Sequence, residues 1–403
     1  MIRRLMPLAL GAIYAGVPLF PAFITLTSDA FPGIAVLPAP LVLSAMCLVG
    51  LLAIYGLVAL ALYRKPGSQP LLLPALSISA ASFVSALVGF NPAAGLLFVT
   101  LFSLGIIWHC CIVRFFEDPY VRPAIFWSFL VSGTIAAAAA MLMVVLREPA
   151  SLYVIGHGRA IGTFVLPGEL AAYLVVFLPI AYAVTRVAAT RALQAMGWIA
   201  VAVGAVAMYM THSRAGWMGL AAAIAIIVAL QARRTLAGAT GAAICVAAAA
   251  AAIALLFNAN HNPSEDYTRV SIWQAAVEVI DRFPLTGAGP FDFSRVYPLV
   301  RVPDGEVSAF HAHSLYLTFF ADLGILGLAA WAALAWALVA ELRRRLPRAE
   351  PNSALLAIAA AAGLGGLAVQ GLIDAMSIAI FGLLIPTMGL AVAAARVERP
   401  EAA

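Results

Sequence analysis

Residues 122–146, RPAIFWSFLVSGTIAAAAAMLMVVL, decide the fold class. No charged residue follows Arg122 until Arg147, and a helix of this length reaches across a hydrocarbon layer roughly 30 Å thick. The rest of the chain is similar, because 64 % of its 403 residues are hydrophobic and only 10 % are charged. Soluble globular proteins carry about 25 % charged residues. A soluble multidomain protein is therefore excluded, and the sequence indicates an integral membrane protein.

Further apolar runs, bounded by charges or by Pro, Gly and Asn, predict an all-α polytopic protein with about twelve transmembrane helices. They lie near residues 5–25, 41–63, 71–89, 94–113, 122–146, 168–185, 195–211, 215–231, 236–257, 314–341, 354–373 and 376–395. Residues 258–313 form a predicted large loop with short helices between spans nine and ten. In it, residues 269–283 have the spacing of an amphipathic helix that Pro284 ends. A single membrane domain over residues 1–403 follows.

The basic residues indicate the orientation of the chain in the membrane. With the N-terminus in the cytoplasm, seven arginines lie on the outer side: Arg147, Arg159, Arg214, Arg269, Arg282, Arg295 and Arg301. Removing these seven from the 23 basic residues leaves 16 in predicted cytoplasmic segments, as the positive-inside rule requires. Both termini are then cytoplasmic, and the seven outer arginines depart from a rule that the others obey.

Inside the predicted spans, the one expected ionisable residue is His109, near the cytoplasmic end of the fourth span. Ion-coupled transporters hold the driving ion with charged groups at mid-membrane. The scarcity of such groups argues against an exporter or flippase, and it directs attention to the outer ends of the helices. Four cysteines lie in apolar stretches without metal-ligand or disulfide spacing, namely Cys47, Cys110, Cys111 and Cys245.

The outer segments hold the residues that could carry chemistry. Ser213 is placed to cap the eighth span, so that Arg214 and the free N–H groups there could bind an anion. An arginine reaching into the headgroup layer is the alternative, and Arg269 at the start of the amphipathic helix has the same two interpretations. His311 and His313 precede the tenth span, where nearby arginines favour the neutral form that suits a general base. Helix capping or a metal site are the alternatives for this pair.

Four motifs occur in order over roughly residues 155–330. They are Arg159-Ala-Ile-Gly162-Thr-Phe leading into Pro167-Gly-Glu, Ser213-Arg-Ala-Gly216, Arg269…Trp273…Pro284-Leu-Thr-Gly287-Ala-Gly289-Pro-Phe291, and His313-Ser314 followed after nine residues by Gly324-Ile-Leu-Gly327. Together they resemble the O-antigen ligase family of the O-antigen ligase/polymerase superfamily. Two departures from the family pattern are Gly168-Glu169, where Pro-Asn is usual, and Ser314, where Asn is more frequent.

The resemblance implies a membrane glycosyltransferase of the C-type fold on the periplasmic face of a Gram-negative inner membrane. Such an enzyme would transfer an O-antigen glycan from undecaprenyl pyrophosphate to a sugar hydroxyl of lipid A–core in lipopolysaccharide biosynthesis. It would invert the anomeric carbon and need neither metal nor another cofactor. The implied catalytic residues are His313, Arg214 and Arg269, and the implied substrate-binding residues are Arg159, His311, Ser213 and Ser314. The choice between His311 and His313 as the base stays open.

Other interpretations remain beside the ligase. An O-antigen or exopolysaccharide polymerase would share the donor and the site residues but use a lipid-linked glycan as acceptor. The large loop contains four arginines and seven acidic residues, whereas a phosphate-rich acceptor would favour positive charge. Within that loop, Glu265-Asp266 is interpreted as a solvated acidic pair. A polysaccharide or lipid exporter is the third and weakest interpretation.

Overall fold

The computed structural model describes residues 2–19, 39–62, 69–164, 166–231, 263–375 and 378–399. Across this part, the chain forms fourteen helices. They are α1 (Ile2–Leu19), α2 (Ala39–Leu62), α3 (Leu72–Val88), α4 (Pro92–Phe115), α5 (Val121–Leu146), α6 (Ala150–Ile155), α7 (Pro167–Val187), α8 (Arg191–Met210), α9 (Arg214–Gln231), α10 (Pro263–Arg282), α11 (Phe293–Val300), α12 (Leu315–Arg345), α13 (Pro351–Gln370) and α14 (Ile378–Ala395).

Seven of these helices are long and apolar enough to cross a membrane, namely α4, α5, α7, α8, α9, α12 and α13. Shorter apolar stretches occupy parts of α1, α2 and α14 and the whole of α3. The prediction of an all-helical multi-pass membrane protein is therefore confirmed. A helix lies at each predicted span except the ninth, because residues 236–257 are outside the described residues, as are residues 20–25 of the first. The total of twelve spans stays a prediction, as do the single domain and the outer location of the large loop.

Helix α7 is the centre of the bundle. Every residue from Leu170 to Phe177 is buried, as expected for a helix that is apolar on all sides. Beside it, α9 and α13 touch backbone to backbone. A Cβ atom on Gly219 would lie 2.8 Å from the carbonyl oxygen of Gly366, and one on Gly366 would lie 2.4 Å from that of Gly219. Glycine at both positions permits this close approach.

Helix α12 is broken near its start, and the chain that follows α10 fills the break. We call residues 284–293 the wedge. The N–H groups of Ala288 and Gly289 donate to the carbonyl oxygens of Ala321 (2.8 Å) and Asp322 (3.0 Å). At Gly324 the backbone takes φ 64° and ψ −167°, which is a conformation that glycine adopts without steric cost. The backbone bonds that the helix loses at the break are therefore replaced by bonds to the wedge.

The Gly-x-x-Gly part of the fourth motif is explained by this packing. A Cβ atom on Gly324 would lie 2.3 Å from the carbonyl oxygen of Leu285, and one on Gly327 would lie 2.2 Å from the Cβ atom of Leu323. Asp322 completes the junction, because its two carboxylate oxygens accept the backbone N–H groups of Phe291 and Phe293 at 3.2 Å each. The two glycines thus serve the architecture of the kink.

The helix that the sequence predicts over 269–283 is present and ends at Arg282, just before Pro284, but it begins six residues earlier, at Pro263. One expectation from the sequence is wrong. The spans contain more ionisable residues than His109, since Glu169 in α7 and Asp322 and Glu341 in α12 are buried. Asp322 is bound by backbone amides and Glu341 is paired with arginines. These two carboxylates hold the fold together and do not support the exporter interpretation.

Candidate functional site

Five segments converge near the start of α12: residues 156–164, the turn between α8 and α9, α10, residues 311–314 and residues 371–375. Two sets of backbone hydrogen bonds fix the connections. The N–H of Ala160 donates to the carbonyl of Met210 at 2.9 Å, which ties the first segment to the end of α8. The N–H of Leu315 donates to the carbonyls of Gly371 (2.8 Å) and Asp374 (3.0 Å), which ties the last segment to the start of α12.

The first motif holds the segment that carries Arg159. Gly162 has φ +61°, and a Cβ atom there would lie 2.9 Å from the carbonyl oxygen of Ala136 in α5. The neighbouring hydroxyl of Thr163 donates to the carbonyl of Pro18 at 2.5 Å. Glycine is required for the close approach and threonine for the tie to α1, so these two positions fix the backbone that leads to Arg159.

The second motif forms the N-terminus of α9. The Ser213 hydroxyl oxygen accepts the N–H of Gly216 at 3.1 Å, which confirms the predicted helix cap. Arg214 is the first residue of the helix, its side chain is 9 % exposed, and its Nη2 lies 3.4 Å from Oδ1 of Asp266 on α10. Asp266 was interpreted as part of a solvated pair, and this is wrong, because its carboxylate joins α10 to α9.

The two histidines lie against each other. Their ring centroids are 4.5 Å apart, and Nδ1 of the buried His311 accepts the backbone N–H of His313 at 3.2 Å. His313 itself has φ +45°. Burial, and then Arg269, lower the pKa of His313 to about 4. Burial lowers the pKa of His311 well below its usual value, with smaller effects in the same direction from His313 and Arg269. Both imidazoles are therefore neutral at pH 7.

Asp374 is a site residue that the sequence analysis missed. Its Oδ1 lies 3.9 Å from Nδ1 of His313. Burial raises the pKa of the Asp374 carboxyl to about 6, although Arg269 and Arg159 act in the opposite direction. The carboxylate is therefore mostly ionised at pH 7. The one available signal was an acidic residue in the short outer segment between the last two predicted spans.

Gly168 accommodates this carboxylate. A Cβ atom on Gly168 would lie 2.3 Å from Oδ2 of Asp374, so a side chain at this position would displace the carboxylate. The residue pair Gly168-Glu169 is one of the two departures from the family pattern. The departure thus leaves the space that Asp374 occupies.

Ser314 connects the site to residues 371–375. Its hydroxyl donates to the carbonyl of Gly371 at 3.4 Å, and its own carbonyl accepts the hydroxyl of Thr318 at 2.8 Å. In the described structure, the Ser314 hydroxyl therefore supports the loop that carries Asp374. The binding of substrate by Ser314 and by Ser213 stays a prediction.

The site combines three arginines with a neutral histidine and a carboxylate. Arg269 acts electrostatically on His311, His313 and Asp374, and Arg159 acts on Asp374. Arg214 is connected to the same region by its ion pair with Asp266, which lies one turn before Arg269 on α10. Among the described residues, no group of three or more His, Cys, Asp and Glu side chains is arranged to hold a metal ion. The arrangement can bind a polyanion beside a group that accepts a proton.

The comparison with protein families gives a match to part of the chain. The family model described as O-antigen ligase matches residues 199–332, from within α8 to within α12. A comparison with curated proteins gives no match. The matched region contains the second, third and fourth motifs with Arg214, Arg269 and His313, whereas Arg159 and Asp374 lie outside it. Residues 199–332 are therefore similar to the O-antigen ligase family, which confirms the resemblance indicated by the motifs in this part of the chain.

Proposed function

We propose that this membrane protein is an O-antigen ligase that transfers a glycan from undecaprenyl pyrophosphate to a sugar hydroxyl of lipid A–core. The observation that carries the proposal is the placement of Arg269 near both the neutral His313 and Asp374, with Arg159 also acting on Asp374. Arg214 pairs with Asp266, one turn before Arg269 on α10, and residues 199–332 match the family model. The proposed location is the periplasmic face of the inner membrane, where both lipid-linked substrates would be reached from the bilayer.

In the proposed mechanism, the arginines bind the pyrophosphate of the donor. Arg214 stands at the N-terminus of α9, where the free N–H groups and the helix dipole also favour an anion. Arg269 and Arg159 would neutralise the charge that develops as the bond between the anomeric carbon and the phosphate oxygen breaks. These interactions strengthen in the transition state, so they are expected to accelerate the reaction as well as to bind the donor.

His313 would act on the acceptor. The Asp374 carboxylate lies on the Nδ1 side of the ring and favours the tautomer with its proton on Nδ1, which leaves Nε2 to accept the hydroxyl proton of the acceptor sugar. The acceptor oxygen then forms the new bond to the anomeric carbon from the side opposite the departing pyrophosphate, which inverts the configuration. His311 is a positioning residue, because it holds the backbone N–H of His313.

The mechanism is tested by replacing His313 with Asn. Asparagine tolerates the left-handed backbone at φ +45° better than alanine does, so the variant removes the base without adding strain. We expect glycan transfer from purified lipid-linked donor to purified acceptor to slow by about 10²- to 10⁴-fold. His212→Asn is the matched control, because His212 is exposed and has φ +48°. Full activity of the His313 variant would reject the base role.

The second candidate function is a polymerase, which the acidic large loop supports. Deletion of the gene distinguishes a ligase from a polymerase. For a ligase, we expect the loss of all O-antigen from the core while long polymer accumulates on the lipid carrier. Core that still carries single glycan units would instead identify a polymerase. Lipopolysaccharide electrophoresis and analysis of the carrier-linked glycans measure the two outcomes.

A further inference from the structure

A groove lies on the last two turns of α12, at the end of the helix away from His313. It has a volume of about 380 Å³ and is lined by Trp336, Val339, Ala340, Arg343 and Arg344. These positions share one face of the helix, because residues three or four apart are neighbours on its surface. Trp336 is 72 % exposed and Val339 is 44 % exposed. The groove therefore has an apolar wall that continues directly into a cationic rim.

The charges around the rim do not cancel. Buried Glu341 pairs with Arg344, Arg345 (3.4 Å) and Arg396 (3.2 Å), and Arg345 also contacts Glu398 (3.3 Å). With Arg343 included, four arginines face two glutamates, which leaves two positive charges in surplus. Arg343 has no carboxylate within 4.0 Å in the part of the chain that the structure describes. The rim is therefore complementary to an anion.

The groove offers both kinds of contact that a membrane lipid needs. The small side chain of Ala340 lines it together with the Trp336 ring and the two arginines. Tryptophan and arginine are common at membrane interfaces as separate anchors, but here they line one concave surface. An acyl chain would pack on Trp336 and Val339, and a phosphate would lie between Arg343 and Arg344.

We propose that this groove binds an anionic phospholipid, with its phosphodiester on the two arginines. The groove lies on the part of α12 beyond the break at Gly324, where residues 325–340 extend roughly 20 Å away from the break. It is therefore separate from the proposed transfer site, and its test does not depend on the proposed function. By the positive-inside rule, the groove lies in the cytoplasmic leaflet, where the arginine-rich end of the helix is expected.

The test measures lipid binding to the full-length protein in detergent by native mass spectrometry. Phosphatidylglycerol is the anionic probe, and phosphatidylcholine of the same chain length is the neutral probe. We expect tighter binding of phosphatidylglycerol and a roughly fivefold loss of its affinity in Arg343→Gln. Arg348→Gln is the matched control, because it removes one exposed arginine from the same end of the molecule but not from the groove. The control is expected to bind like the wild type.

Two further outcomes complete the test. Trp336→Ala is expected to weaken the binding of both lipids, and Trp336→Phe is expected to restore it. Equal losses in the Arg343 and Arg348 variants would show only diffuse attraction and would overturn the proposal, as would equal binding of both lipids by the wild type. Thermal unfolding in lipid-free detergent verifies that the variants are folded.

Discussion

His313 and Asp374 are the two residues in which the proposed chemistry depends on protonation. Burial and the nearby Arg269 keep His313 neutral, whereas burial raises the pKa of Asp374 to about 6. An anionic donor would offset Arg269 and raise the pKa of His313 when it binds, which brings the base closer to its working range. The free and donor-bound forms of the site are therefore expected to have different pH dependences.

Asp374→Asn tests the assignment of Asp374 as a positioning residue. The wild-type kcat/KM is expected to fall as the pH drops through about 6, because a carboxyl group with a raised pKa loses its charge there. In the variant, this acidic limb should disappear, and the rate at pH 7 should fall by about 10- to 100-fold. Rates measured between about pH 5 and 8 check both expectations.

Asp281→Asn is the control for this experiment, since Asp281 is exposed on α10. It should retain the wild-type profile. An acidic limb near pH 6 that persists in the Asp374 variant would show that another group titrates there. A merely structural role of Asp374 would lower the rate at every pH without removing the limb.

The sequence predicts the site unevenly at this scale. Arg214, Arg269 and His313 stand in motifs whose spacing could be recognised. Asp374 has no such motif, and it reaches the site only because residues 371–375 bond to the start of α12. The pairing of Asp266 with Arg214 joins residues 52 positions apart. Such long-range contacts depend on tertiary packing, which no local pattern in the sequence encodes.

At the scale of elements, the break in α12 determines the position of the large loop. Gly324→Ala introduces a side chain at φ +64°, and its Cβ atom would lie 2.3 Å from the carbonyl oxygen of Leu285. The left-handed backbone alone costs an alanine about 1 kcal/mol or more, and the clash with backbone adds to this cost. We expect a lower midpoint of thermal unfolding in detergent and a loss of transfer activity.

Gly50→Ala provides the comparison for the kink. Gly50 lies within α2, and among the residues that the structure describes none would lie within 4 Å of a Cβ atom there. Alanine has a higher helix propensity than glycine, so this variant should unfold at the same temperature as the wild type or higher. Equal stability of the two variants would contradict the account of the kink.

The elements themselves were largely predictable, because an apolar run of about 20 residues is a strong local signal. The kink and the early start of α10 were not. Gly324 stands in a recognisable motif, but the motif does not show that the helix breaks there, because the break depends on the wedge that packs against it. The first turns of α10 are polar, and Asp266 on them pairs with Arg214 of another helix. In both cases the structure is decided by a partner far away in the sequence.

At the scale of the whole molecule, the two ends of α12 differ in charge and in expected location. Ser308 is exposed in the large loop, and Arg348 is exposed beyond the other end of the helix. We expect a membrane-impermeant maleimide to label Ser308→Cys in spheroplasts and Arg348→Cys only after permeabilisation. The parent protein without added cysteine measures the background. The reverse pattern would place the proposed site in the cytoplasm and contradict the proposed function.

The candidate site includes residues outside the region that the family model matches. Residues 199–332 match the family, but Arg159 comes from before this region and Asp374 from after it. The backbone ties at Ala160 and Leu315 bring both into place. A fragment limited to the matched region would therefore lack one of the three arginines and the carboxylate beside His313.

The wedge also limits how the large loop can be exchanged between related chains. Two of its backbone N–H groups donate to the Asp322 carboxylate, and its backbone at Leu285 packs directly against Gly324. In a chimera that receives only a foreign large loop, the wedge of that loop would have to pack against residues 321–327 of the original chain. An exchange that keeps this packing would have to move residues 284–293 and 321–327 together. The two segments thus behave as one structural unit, although 27 residues separate them in the chain.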